Sequence, residues 1–104
     1  MGMDINALKN MLAQGQDNLL LRFGLGQALL NNNQFEEAIE HLRKALDFDP
    51  HHSAAWKLLG KALAASEQTD EAIKTFEQGI VVAENKGDIQ AAKEMKVFLK
   101  RLLK

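Results

Sequence analysis

The chain has 104 residues, a formal net charge of −1, one proline and no cysteine. That length suits a single domain, and the near-neutral charge gives no global pull toward nucleic acid or anionic lipid. The absent thiol removes disulfides, thiolate chemistry and cysteine-ligated zinc, and it fits a reducing, cytoplasmic setting.

Composition then favours helix. Ala, Leu, Glu, Gln and Lys dominate while Val and Thr are scarce, so an all-α fold is expected. No apolar run approaches the roughly 18 residues needed to span a bilayer. The opening Met1-Gly2-Met3-Asp4 has neither a basic nor an apolar signal region, so no secretory leader is expected.

In chain order, Asp4 to Ala13 reads as a short amphipathic helix with Ile5, Leu8, Met11 and Leu12 on one side. Leu19 to Asn31 is a second helix, and Asn31-Asn32-Asn33 a turn in which one Asn goes left-handed and another caps the next helix. Phe35, Ala38, Ile39, Leu42, Ala45 and Leu46 step by threes and fours along the third helix, which Asp49-Pro50 ends. Ser53 is expected to cap a fourth helix carrying Trp56 and running to Ala65. Thr69, with Asp70 and Glu71 behind it, is expected to cap a fifth, on which Ala72, Ile73, Phe76, Gly79, Ile80 and Ala83 share a face. Gly87-Asp88 is a stop followed by a fresh N-cap, and Asp88 to Leu103 forms a sixth helix with Ile89, Ala92, Leu99, Leu102 and Leu103 inward.

The chain repeats itself. Laid over residues 53–86, residues 19–52 match at Leu25/Leu59, Gly26/Gly60, Ala28/Ala62, Leu29/Leu63, Gln34/Gln68, Glu37/Glu71, Ala38/Ala72 and Ile39/Ile73, with Leu42 opposite Phe76. Those eight identities at a period of 34 exceed the roughly two or three that this composition gives by chance. The small residues Gly26, Gly60, Ala38, Ala72, Ala45 and Gly79 are expected to let helix backbones approach closely, with large side chains filling the gaps.

The pattern Trp56-x-x-Leu59-Gly60-x-x-Leu63, then Ala72, Phe76 and Gly79, resembles the tetratricopeptide repeat; Leu25-Gly26-x-x-Leu29, Ala38, Leu42, Ala45 and Pro50 resemble the same motif one period earlier. Arg22 stands where the family favours Trp, Leu29 and Leu63 where it favours Tyr, Glu84 where it favours Pro, and Glu94 at the Gly position of the last helix. The resemblance implies an all-α, right-handed solenoid of antiparallel helical hairpins in about six helices. It implies one domain over residues 1–104: a leading half-repeat helix at 4–14, repeats at 19–52 and 53–86, and a closing helix at 88–103.

It also implies a non-catalytic module that binds a protein or peptide segment in a concave groove lined by the first helix of each hairpin. The implied groove positions are Leu20, Phe23, Gln27 and Leu30; Ala54, Lys57, Lys61 and Ala64; and Ala91, Met95 and Phe98. Lys57 and Lys61 are four apart and point the same way. With Phe23, Met95 and Phe98 as anchors, they suit a segment carrying acidic and apolar side chains. The competing reading is that the flanking helices bury Leu20, Phe23 and Phe98 as ordinary core and leave the lysines solvated. The positions of the family's carboxylate clamp hold Phe23, Gln27 and Leu58, so that activity is not expected.

Other chemistry finds less support. Gly24-x-Gly26 lacks the third glycine of a dinucleotide fingerprint, Leu29 standing there, so no cofactor is expected. His51-His52, with His41 and Asp47 or Asp49, lacks the spacing of a metal site. Ser53 and Ser66 lie at helix boundaries without a nucleophile elbow, and no small-molecule substrate is implied. Lys93, Lys96, Lys100, Arg101 and Lys104 make the last helix basic, which fits a solvated outer face better than a nucleic-acid contact. Self-association through Met95, Phe98 and Leu103 is the alternative to partner binding.

Overall fold

The computed structural model describes residues 4–104; residues 1–3, where the absence of a leader was read, lie outside the described residues. Six helices follow one another: α1 (Ile5–Ala13), α2 (Leu19–Asn31), α3 (Phe35–Phe48), α4 (Ser53–Ala65), α5 (Thr69–Lys86) and α6 (Ile89–Leu102). No strand occurs among the described residues. Each helix packs on the next, and α4 also touches both α2 and α6 directly. The alternate helices α1, α3 and α5 make no close backbone approach to one another, and ion pairs from Lys9 to Glu37 at 2.8 Å and from Arg43 to Glu71 span the gaps. The row therefore bends around its α2–α4–α6 side, which is the concave face.

Glycine sets the closeness of each hairpin. A Cβ on Gly26 would lie 2.6 Å from Cγ of Leu42, and one on Gly60 would lie 2.6 Å from Cζ of Phe76. The two contacts are 34 residues apart, so the same interlock is built twice with different large partners. Leu25, Leu29, Ala38 and Leu42 are fully buried around the first, and Ala62, Leu63 and Ala72 around the second. Packing at this density is what excludes a branched residue at either glycine.

The turns repeat as well. Asn33 and Glu67, again one period apart, both adopt left-handed backbone with φ of 61° and 65°. The amides that follow them, on Gln34 and Gln68, both donate back to the equivalent leucine carbonyls, Leu29 and Leu63, at 2.9 Å. Asparagine tolerates that conformation, but glutamate pays a steric penalty of about 1–2 kcal/mol. Glu67→Gly removes it at some cost in unfolded-chain entropy, for a net gain of about 0.5–1 kcal/mol. Urea titration measures this directly, and an unchanged midpoint would mean that Glu67 carries no such strain.

Helix starts depart from the sequence reading. Asn33 takes the left-handed position as expected, but no Asn caps α3: Gln34 precedes it without a side-chain cap bond. Ser53 and Thr69 are each the first helical residue, not the cap. His52 caps α4 instead, its Nδ1 accepting the Ala55 amide at 3.1 Å, while the Ser53 hydroxyl donates to Asp88 at the start of α6. Asp88 caps α6 as expected, accepting the Ala91 amide, while Asp4, read as the first residue of α1, caps it by accepting the Asn6 amide; Gly87 ends α5 in left-handed backbone at φ 81°.

One further departure positions the site. Proline at 50 stops α3 at Phe48, but its equivalent 34 residues on is Glu84, and α5 runs on to Lys86. Those four extra residues add about 6 Å of helix, and α6 arrives with a different face inward. Ala91, Ala92 and Met95 are buried there, whereas Ile89 and Leu103 are 56% and 62% exposed. The expectation that Ile89 and Leu103 point inward is therefore corrected: Ile89 is the first residue of α6 and Leu103 follows its last, so both lie at ends open to solvent, while Ala91, Ala92 and Met95 make the contact.

Candidate functional site

Met95 is not a groove residue. It is 0% exposed, with its sulfur so close to Gly79 that a Cβ there would lie 2.6 Å away. Its removal also takes away one of the three side chains that motivated self-association. Ala91 is buried beside it. The cause is the rotated arrival of α6, which turns these positions onto α5.

Eight of the other nine groove positions named from the sequence come together on the concave face along three openings, and Ala54 lines none of them. Leu20, Phe23 and Gln27 line the first, of about 380 Å³, with Leu8 and Met11 of α1 as its far wall. Gln27, Leu30, Lys57 and Lys61 line the second, of about 560 Å³, between α2 and α4 with Leu58 and Phe35. Lys61 and Phe98 line the third, of about 250 Å³, between α4 and α6. Gln27 belongs to the first two and Lys61 to the last two, so the openings lie side by side as a track across α2, α4 and α6.

Exposure along the track is uneven. Leu20 is 80% exposed, a large apolar side chain with little protein around it, and is not core. Phe23 is half-buried, its ring 4.7 Å from the His52 ring. Phe98 is half-buried and stacks on buried Phe76 at 5.7 Å. Lys57 is held by Glu94 of α6 at 3.3 Å, while Lys61 is exposed and lies 5.4 Å over the Phe98 ring.

The sequence reading missed several lining residues. Met11, Leu58 and Phe35 line the track too, and His52, outside the openings, backs the Phe23 ring from the turn before α4. Arg101, dismissed there with the basic face of α6, lies 5.9 Å from the Phe98 ring. The spacing of three between Phe98 and Arg101 on one helix was the available signal. The three histidines lie outside the openings: His41 bonds to Arg22, His51 through its backbone amide to Asp49, and His52 to the Ala55 amide. Among the described residues no three His, Asp or Glu side chains gather as metal ligands, and no helix is long and apolar enough to cross a membrane.

Behind the track lies an ionic knot where the repeat motif would carry tryptophan. Arg22 donates from Nε and Nη2 to Asp17 at 2.7 and 2.9 Å, and from Nη1 to Nδ1 of His41 at 2.9 Å. It ties the α1–α2 loop to α2 and α3. Burial, and then the Arg22 charge, hold the His41 pKa below its usual 6.5. A histidine whose folded pKa is depressed contributes stability that is present above the unfolded pKa and lost as pH falls through the folded value. The urea midpoint is therefore expected to fall between pH 7.5 and pH 5, and His41→Gln to flatten that slope. An equally steep slope in the variant would place the titrating group elsewhere. Asp88, held below the ordinary carboxylate range by the Ser53 hydroxyl and then the Ala91 amide, gives a separate loss at pH below about 4.

The comparisons with known proteins follow this geometry. Two tetratricopeptide repeat family profiles match, over residues 32–95 and 5–53. A TPR repeat-containing protein of Pseudomonas aeruginosa is 50% identical over 100 residues, spanning 96% of this chain and 95% of that protein. The solution structure of a protein from Bordetella parapertussis superimposes with a TM-score of 0.86 at 48% identity, covering 99% of this chain and 90% of that one. The second TPR domain of human RPAP3, solved in complex with the HSP70 peptide SGPTIEEVD, superimposes with a TM-score of 0.72 at 25% identity, covering 88% of this chain and 78% of that one. With the twice-built hairpin and the solenoid of six helices, these matches place the chain in the tetratricopeptide repeat family.

Proposed function

We propose that this chain is a non-catalytic adaptor that holds a segment of another protein on its concave face, through Leu20, Phe23, Gln27, Leu30, Lys57, Lys61 and Phe98. Tetratricopeptide repeats are protein–protein interaction modules, and the RPAP3 domain of the same fold was solved with a peptide bound. The observation that carries the reading for this chain is the row of adjoining openings itself. Seven side chains from three helices, chosen by register alone, line openings that share Gln27 and Lys61. Exposed apolar surface beside unburied cations is the kind of surface that a segment with apolar and acidic side chains covers.

In this reading the leading helix at 4–14, the repeats at 19–52 and 53–86 and the closing helix at 88–103 act as one unit, because the track needs walls from α1, α2, α4 and α6. The two lysines supply the test. Lys57→Glu with Lys61→Glu is expected to abolish capture of the cross-linked partner from the source cell, at least tenfold below the unmodified chain. Helical circular dichroism should be preserved. Losing the half-buried Lys57–Glu94 pair and setting a second carboxylate beside Glu94 costs about 1–2 kcal/mol, which leaves the fold in place. Full capture by the double variant would sink the groove assignment.

A further inference from the structure

We propose that the slot between α4 and α6, bounded by Lys61, Ala64, Phe76, Phe98, Arg101 and Leu102, is a subsite for one apolar side chain whose chain neighbours carry carboxylates. The proposal deepens the adaptor reading and rests on it. The slot holds about 250 Å³, room for one leucine, isoleucine, methionine or phenylalanine side chain, and its walls are almost entirely carbon. Its floor is fixed: Phe98 stacks on Phe76 at 5.7 Å with planes 29° apart, and Phe76 is itself buried.

Two cations guard this dry slot from opposite helices. Lys61 of α4 lies 5.4 Å from the Phe98 ring centroid and Arg101 of α6 lies 5.9 Å from it. Neither has a carboxylate within ion-pair distance among the described residues, although Lys57 on the same face is paired with Glu94. A cation over a ring face keeps most of its N–H donors free and directed outward.

The two features constrain each other. A purely apolar ligand would fill the slot but press two cations against a surface that cannot solvate them. A purely acidic one would pair with the cations and leave the carbon walls wet. An apolar side chain with carboxylates on either side satisfies both, and the apolar surroundings strengthen the charge contacts relative to open water. The partner class is therefore a protein segment of the form acidic–apolar–acidic, with the apolar residue seated on Phe98.

The test is a titration of the isotopically labelled chain with a capped heptapeptide carrying Glu-Leu-Glu between Ser-Gly flanks, followed by amide NMR shifts. Saturable shifts are expected at Lys61, Ala64, Phe98, Arg101 and Leu102. Glu-Ala-Glu and Gln-Leu-Gln peptides should bind about fivefold or more weakly, and Lys61→Gln and Arg101→Gln should each weaken Glu-Leu-Glu about fivefold. Equal affinity for Gln-Leu-Gln overturns the acidic requirement, and equal affinity for Glu-Ala-Glu overturns the slot. Shifts confined to Leu20–Leu30 and Lys57 overturn the subsite while leaving the adaptor reading in place. No shift at about 2 mM peptide overturns the subsite too, and the adaptor reading then stands or falls on the capture experiment alone.

Discussion

Phe76→Ala is expected to lower the unfolding free energy by about 3–5 kcal/mol, the usual cost of emptying a fully buried phenylalanine site. Domains of this size are stable by only about 5–15 kcal/mol, so the variant will be partly unfolded near physiological temperature. The ring is 1% exposed and meets three different parts of the fold. It covers Gly60 within its own hairpin, stacks on Phe98 of α6, and packs with Ile80, Ala83 and Met95. None of these neighbours can close the void alone, because Gly60 has no side chain and α6 is tied by the Ser53–Asp88 and Lys57–Glu94 contacts. Urea unfolding followed by circular dichroism measures the loss. A change under about 1.5 kcal/mol would show that α6 collapses into the space.

Gly60→Ala should produce the converse defect, a loss of about 1–3 kcal/mol from overpacking. Alanine ordinarily stabilises a helix interior relative to glycine by about 0.5–1 kcal/mol, so the sign depends on the neighbour. Here the new methyl would meet Phe76, whose rigid ring is buried and stacked on Phe98. Gly24→Ala is the control: a Cβ there meets nothing within 4 Å, and the substitution should stabilise by the helix-propensity amount. The double variant Gly60→Ala with Phe76→Leu should recover part of the loss, since the two side chains compete for one space. If Gly60→Ala proves as benign as Gly24→Ala, the close approach of α4 and α5 is not what the second hairpin depends on.

The interlocks behind both expectations were legible because they are periodic. Gly26 with Leu42 and Gly60 with Phe76 are each encoded by a glycine and a large apolar residue sixteen apart, and the copy at a fixed offset marks them as structural. The caps were less legible. Ser53 and Thr69 are better cappers by intrinsic preference than His52 and Gln68, yet the chain places them one residue inside the helix. The packing of α4 and α5 sets where each helix begins, and local preference yields to it. Glu67 was unreadable by residue type, since glutamate does not favour left-handed backbone. Its place one period after Asn33 was the only clue.

The lining of the openings was legible as far as the repeat extends. Leu20, Phe23, Gln27, Leu30, Lys57 and Lys61 lie within residues 19–86, where register transfers cleanly, and they line the track. Met95 was misplaced and Arg101 overlooked because both follow Glu84, where the helix that Pro50 would have ended carries on. One residue that fails to break a helix changes which side of the following helix faces inward.

The chain has a single tryptophan, and its position has a spectroscopic consequence. The Trp56 indole N–H donates to the Pro50 carbonyl at 2.8 Å, and the base of its side chain lies against Gly79, where Met95 also docks. Its emission therefore reads the bend between the two hairpins and the seating of α6 in one signal. Loosening of the last helix would shift that emission before the far-ultraviolet ellipticity moved, so any gap between the two melting curves measures how firmly α6 is bound to the rest.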